Sequence, residues 1–174
     1  HGEYIEDLAK EIVKSNPQIT QLAESESISA FTQAGYKLQL EQQRKVLDNF
    51  GTHFDTWFSE RSLYEDNFFN HSLDKLKKEG HVFEQEGAIW LRTTDFGDDK
   101  DRVMIKSDGT FAYFASDSAY YVSKRERGFN LCIYMLGADH HGYVGRIKAL
   151  AACAGDDPEK DVEVLIGQMV KIIE

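Results

Sequence analysis

Between Leu136 and Tyr143 the chain reads Leu-Gly-Ala-Asp-His-His-Gly-Tyr, a carboxylate and two imidazoles set between two glycines. An apolar run, residues 131–136, precedes this stretch, and a helical apolar phase follows it. The polar group therefore falls where a strand ends and a helix begins. In open parallel sheets, ligands bind outside the carboxyl ends of strands. Gly137 and Gly142 would let a ligand come close to the backbone. The first N–H groups of the helix favour an anion such as phosphate. Asp139 can accept a hydrogen bond from a ribose hydroxyl. His140 and His141 can hydrogen-bond to a nucleotide or stack on it.

The same residues fit two other readings. One is a polar turn with a helix-capping Asp and solvated imidazoles. The other is a metal site, because adjacent Asp-His-His at a strand end resembles the manganese phosphoesterases. Such a site needs more carboxylates. Asp95, Asp98, Asp99, Asp101 and Asp117 supply the number without a diagnostic spacing.

A second constellation is Tyr113-Phe114-Ala115-Ser116-Asp117. Tyr113 and Asp117 share a face if the segment is helical. A carboxylate beside a phenol suits a guanidinium, since the carboxylate accepts the planar fork bidentately and the ring offers a face. From the residues alone, a core Tyr and an exposed or helix-capping Asp is the stronger reading. The third group, Asp95 to Arg102 with five charges in a row from Asp98, reads as a solvated charged loop. Lys100 and Arg102 could touch phosphates, but their acidic neighbours argue against a phosphate cradle. The chain carries no Gly-x-Gly-x-x-Gly, P-loop, zinc spacing or Gly-x-Ser-x-Gly elbow.

The elements that must position these residues follow from periodicity. Ile5, Leu8, Ala9, Ile12 and Val13 recur in helical phase, predicting a helix over 3–14 that ends at Ser15-Asn16-Pro17. Residues 16–30 read as a polar loop, and 31–50 as a longer helix stopped by Gly51. Residues 54–59 are short, aromatic and strand-like. Ser62-Leu63-Tyr64-Glu65 has a capping-box pattern ahead of a helix that shows Phe69, Leu73 and Leu76 on one face. Strands at 82–85 and 88–92 joined by Glu86-Gly87 read as a hairpin. A strand over 102–106 leads through the Asp108-Gly109 turn to a helix from about 115. The run 131–136 lacks alternation, as a strand buried on both faces does. A helix over 142–154 and a strand over 162–166 complete a βαβ unit.

The chain has 174 residues, 41% of them hydrophobic, so a core is within reach. A net charge of −10 disfavours a stand-alone nucleic-acid binder, because phosphate binding needs clustered Lys and Arg. Cys132 and Cys153 lie in apolar stretches and read as buried reduced thiols. No apolar run is long enough for a membrane helix and there is no secretory signal, which together predict a cytoplasmic protein. His1 at the start and the apolar run before Glu174 read as the ends of an internal piece.

Seven blocks, in order along nearly the whole chain, resemble the bacterial arginyl-tRNA synthetases. They are 54–60, 87–94, 96–102, 107–110, 113–117, 137–143 and 167–170. The resemblance implies a class I fold: residues 1–106 as an α+β connective insertion, then 107–174 as half of a nucleotide-binding, Rossmann-like parallel sheet. It implies arginine–tRNA ligation, with ATP as substrate alongside Mg2+, and arginine and tRNA(Arg) as partners. By the same resemblance Tyr113, Asp117 and His140 contact arginine, although some family members place Gln near His140. Gly137, Asp139, His141 and Gln168 fall to the ATP side. The His-x-Gly-His and Lys-Met-Ser-Lys-Ser type signatures are missing. The chain alone is therefore expected to be inactive and a poor tRNA binder, with no tightly bound cofactor, no membrane association and a tendency to pair through its half-fold surfaces. A metal-dependent phosphoesterase and a non-catalytic binding module remain the competing readings.

Overall fold

A computed structural model describes all residues except His1, Asp66, Ile172 and Glu174. The chain divides into two compact units between Trp57 and Phe58. The boundary expected at 106/107 rests on the family resemblance, and the division by contacts falls elsewhere.

The first unit is helical. Helix α1 spans Glu3–Ser15 and buries Ile12. Pro17–Gln21 form a 3-10 turn that buries Ile19. Helix α2 then runs over Glu24–Asn49. The expected loop over 16–30 is thus corrected: the helix begins seven residues earlier than the predicted start at 31. Glu24 and Glu26 in its first turn complement the positive end of the helix dipole, and Ser27 Oγ donates to the Ile19 carbonyl at 2.9 Å. A polar composition hid these local contacts. The strand-like stretch 54–59 is also corrected. It forms no strand, because its aromatics find partners without a ladder: Phe54 meets Trp57 edge-on at 5.3 Å, and Arg44 lies 4.9 Å from the Trp57 ring centroid.

The second unit carries the two sheets. Helix α3 covers Arg61–Glu65 and α4 covers Phe68–Lys78. Ser62 lies inside α3 and donates to the Ser59 carbonyl at 2.7 Å, so it is not the capping residue that its spacing suggested. Phe69, Leu73 and Leu76 are buried on one face of α4, as their phase predicts. Strands β1 (Val82–Gln85), β2 (Ala88–Leu91) and β3 (Arg102–Ile105) form an antiparallel sheet in that order. Glu86 at φ 53° and Gly87 at φ 74° make the two-residue turn that matches strand twist.

The charged stretch before β3 is solvated only in part: Asp95, Asp99 and Lys100 are exposed, whereas Asp98 and Arg102 turn inward. Arg102 is buried and donates to Asp98 at 2.7 and 2.6 Å, with Asp99 as a further partner. Burial works to raise the Asp98 carboxyl, but hydrogen bonds from Arg102, Asp99 and Thr93 hold it well below the usual range. A run of charges reads as surface only when its members are unpaired.

From β3 the chain turns at Asp108, whose carboxylate accepts from the Thr110 N–H at 2.9 Å, and enters α5 (Tyr113–Glu126). Strand β4 (Cys132–Gly137) leads through a 3-10 turn, Ala138–His140, to α6 (Tyr143–Cys153). Strand β5 (Val162–Gly167) pairs with β4 in parallel, Cys132 opposite Val162 and Gly137 opposite Gly167. One core joins both sheets: Leu76, Leu91, Met104, Ala119, Leu150, Cys132 and Val162 belong to a single cluster. β4 is not buried on both faces. Cys132 is buried, but Ile133 and Met135 are exposed, Met135 at 82%. Helices of this unit cover one face only, so apolar character on the other face does not translate into burial.

Candidate functional site

Helix α5 presents Tyr113, Asp117, Tyr120 and Lys124 at steps of four, three and four residues, which keeps them on one stripe. The condition set on the Tyr113–Asp117 pair, that the segment be helical, is met. Phe114, Ala115, Ser118, Ala119 and Val122 fill the opposite, buried face. Ser118 returns its hydroxyl to the Phe114 carbonyl at 2.8 Å. The helix is thus pinned by its apolar side and free to offer its polar side.

That side opens on a cavity of about 410 Å3. Tyr113, Ser116, Asp117 and Tyr120 come from α5. Tyr134 and Leu136 come from β4, His140 from the 3-10 turn, Tyr143, Arg146 and Ile147 from α6, and Glu60 from the segment ahead of α3. Strand alternation explains the β4 contribution: Tyr134 and Leu136 point one way, Ile133 and Met135 the other. The volume and the mixture of rings with a few charges suit a small organic ligand.

Asp117 keeps an exposed edge, yet its carboxyl is crowded enough that burial raises it above the ordinary value. Arg146 and Lys124 oppose that rise and Glu60 adds to it. Tyr113 is 96% exposed and holds the cavity rim. His140 packs edge-on against Tyr143 at 5.5 Å, with Nε2 3.5 Å from Asp139 Oδ2. Arg146 lies 4.2 Å from the Tyr143 ring centroid. Two carboxylates among aromatic rings make a receptor for a flat cation.

A second, wider groove of about 840 Å3 lies at the carboxyl ends of β4 and β5. Residues 135–139 and 165–169 line it, so Gly137, Asp139 and Gln168 meet there. A Cβ at Gly137 would sit 2.5 Å from Asp139 Oδ1, so a larger residue there would have to displace that exposed carboxylate. Leu136 borders both spaces.

The residues singled out from sequence therefore separate by cavity. Tyr113, Asp117 and His140 share one, Gly137, Asp139 and Gln168 the other, and exposed His141 lines neither. Sequence reasoning missed Glu60, Tyr134 and Arg146. Glu60 closes the block 54–60, so membership of an ordered block was a signal for it. Tyr134 sat in a run read only as core. Among the described residues, no group of three or more His, Cys, Asp or Glu is placed to hold a metal. Asp139, His140 and His141 thus lack the further ligands that the phosphoesterase reading needs.

Residues 5–170 match the family model described as tRNA synthetases class I (R), catalytic domain. An arginine–tRNA ligase of Renibacterium salmoninarum is 53% identical over 98% of this chain, and the chain spans 31% of that relative's length. The crystal structure of a Campylobacter jejuni protein assigned as an arginyl-tRNA synthetase superposes with a TM-score of 0.85 at 39% identity, over 97% of this chain and 36% of the other. The arginyl-tRNA synthetase of Plasmodium falciparum shares the fold at a TM-score of 0.61 and 16% identity, over 96% of this chain and 34% of the other.

Proposed function

The chain belongs to the class I arginyl-tRNA synthetase catalytic-domain family, and we propose that it supplies the arginine pocket and part of the ATP site of a cytoplasmic arginine–tRNA ligase. In that reaction an arginine carboxylate oxygen attacks the α-phosphorus of ATP. Pyrophosphate leaves and arginyl-adenylate forms. A terminal ribose hydroxyl of tRNA(Arg) then attacks the acyl carbon, and AMP leaves.

The cavity on α5 is the place for the guanidinium. Asp117 accepts its N–H groups as a charged pair, and Glu60 supplies a second carboxylate. Tyr113, Tyr134 and His140 bound the planar group. The groove at the ends of β4 and β5 takes the nucleotide, with Asp139 placed to accept from a ribose hydroxyl and Gln168 alongside. Gly137 lets the nucleotide approach the strand end, and His141 lies just beyond. Residues 1–106 are the connective insertion that precedes this half-fold. The observation that carries the reading is that the two spaces share Leu136. A ligand with its cation on Asp117 and its other end at the strand terminus would bring its carboxylate to the nucleotide groove.

The test is calorimetric titration of arginine into the full protein. Asp117→Asn keeps shape and removes charge, so arginine should bind on the order of a hundredfold more weakly, while ATP affinity changes by less than about twofold. Equal arginine affinity in wild type and Asp117→Asn would remove the guanidinium from this cavity.

A further inference from the structure

Arg146 is the one cavity residue whose charge the proposed reaction leaves without a task. Its guanidinium rests 4.2 Å from the Tyr143 ring centroid. Its Nε is buried and has no hydrogen-bond partner among the described residues. A ring face holds it in place, so its positive charge is not consumed by a direct ion pair at that nitrogen. Across the same cavity stand Asp117 and Glu60.

We propose that Arg146 is a positioning residue for the substrate cation: it is the resident counter-charge that cancels one of the two carboxylates, Asp117 and Glu60, and so matches the cavity to one monocationic side chain. This inference rests on the arginine reading of the cavity. Two carboxylates and one guanidinium leave a single negative charge, which one incoming guanidinium neutralises.

Without a resident cation, two carboxylates that share a cavity push one of them to take a proton. A neutral Asp117 loses the charge that pairs with a guanidinium fork. Burial already pulls the Asp117 carboxyl upward and Glu60 adds to the pull, while Arg146 is the strongest force against it, ahead of Lys124. The other titratable groups on the cavity wall are Tyr134 from β4, His140 from the 3-10 turn, Tyr143 from α6, and Tyr113 and Tyr120 on α5 itself. None of these is a permanent cation. An arginine suits the role because it stays protonated in protein surroundings.

Carbon-13 NMR of the Asp117 carboxyl across pH tests this in the chain itself. Arg146→Gln should raise the Asp117 midpoint by about one pH unit, a tenfold gain in proton affinity. Arg146→Lys should stay within about a third of that shift. Lys148→Gln removes a positive charge from the same helix, but Lys148 pairs with Glu159 at 2.7 Å and lines no part of the cavity. It should leave Asp117 unchanged. In the full protein, Arg146→Gln should bind arginine more weakly than wild type at acidic pH, by up to about tenfold once the pH lies below both Asp117 midpoints, and within about twofold of it near pH 8. An Asp117 midpoint common to wild type and Arg146→Gln overturns the inference, as does an equal shift in Lys148→Gln. Failure of wild type to bind arginine would instead sink the reading of the cavity, and the NMR titration would still decide the role of Arg146.

Discussion

Lys124 Nζ lies 4.0 Å from the ring centroid of Tyr120 and 3.8 Å from that of Tyr134. The two rings attract the cation, but burial outweighs them and brings the amine down to about 8. Cys132 and Asp117 act to raise it and Arg127 to lower it. An unfolded lysine keeps its proton up to about 10.5, whereas this folded one releases it near 8. Between those values the unfolded chain binds more protons, so this group makes stability rise with pH, and its penalty is complete below about 8. Lys124→Met should therefore be more stable than wild type near pH 7, by about 1 kcal/mol after the lost ring contacts are set against the relief. The gain should shrink as pH rises from about 8 to about 10.5. Urea unfolding of both proteins at the two ends of that range measures it, and a Lys124→Met that is less stable near pH 7 contradicts this account. At this scale the family resemblance, more than the four-residue spacing, singled out Tyr113 and Asp117. It did not single out Glu60 or Arg146, which share a cavity with Asp117 only because three elements converge.

Three elements are tied together at the far end of α5. The Tyr121 hydroxyl donates to Asp156 Oδ2 at 2.6 Å, and Arg125 Nη2 donates to Asp156 Oδ1 at 2.9 Å. Arg125 Nη1 also reaches the carbonyls of Phe129 and Asn130 at 2.9 and 2.7 Å. One carboxylate after α6 thus clamps α5 and the entry to β4, the elements that carry the cavity. Tyr121 is fully buried, so removing its acceptor strands a buried donor. Asp156→Ala should cost about 2–4 kcal/mol and Tyr121→Phe about 1 kcal/mol. The double variant should fall short of their sum, because both break one bond. Denaturant titrations check this, and an Asp156→Ala within about 0.5 kcal/mol of wild type would remove the clamp. None of this was visible beforehand, since Tyr121 and Asp156 are 35 residues apart. The helices α1 and α4 were legible because 3.6-residue phase is local. The start of α2 and the irregular 54–59 were not, because polar and aromatic residues there take conformations set by neighbours.

Across the whole molecule, the chain spans 31% of the length of the relatives it matches. Its parallel sheet has two strands, and Ile133, Met135 and Leu165 are exposed on one face. The two cavities meet at this sheet, yet neither the His-x-Gly-His nor the Lys-Met-Ser-Lys-Ser type signature occurs in these 174 residues. Among the described residues, no Lys or Arg lines the groove at the ends of β4 and β5, so nothing there would meet negative charge developing on a transferred phosphate. The 174-residue chain should accordingly show no arginine- and tRNA-dependent pyrophosphate exchange above background. Measurable exchange with the purified chain would show that it holds catalytic groups not identified among its residues.

Ordered blocks of residues were enough to determine the family and the strand-end position of Gly137–Tyr143, because short-range spacing survives in the sequence whatever the packing. Helical phase and the Glu86-Gly87 turn likewise determined local elements. Only the tertiary structure decided that the polar strand-end group splits, His140 turning to the Asp117 cavity and Asp139 to the groove beyond Leu136. It also decided that Asp98 and Arg102 form a buried pair and that Arg146 faces two carboxylates. Those outcomes depend on which side chains meet across distant elements and how much water remains between them, and neither quantity is written in the spacing of residues along the chain.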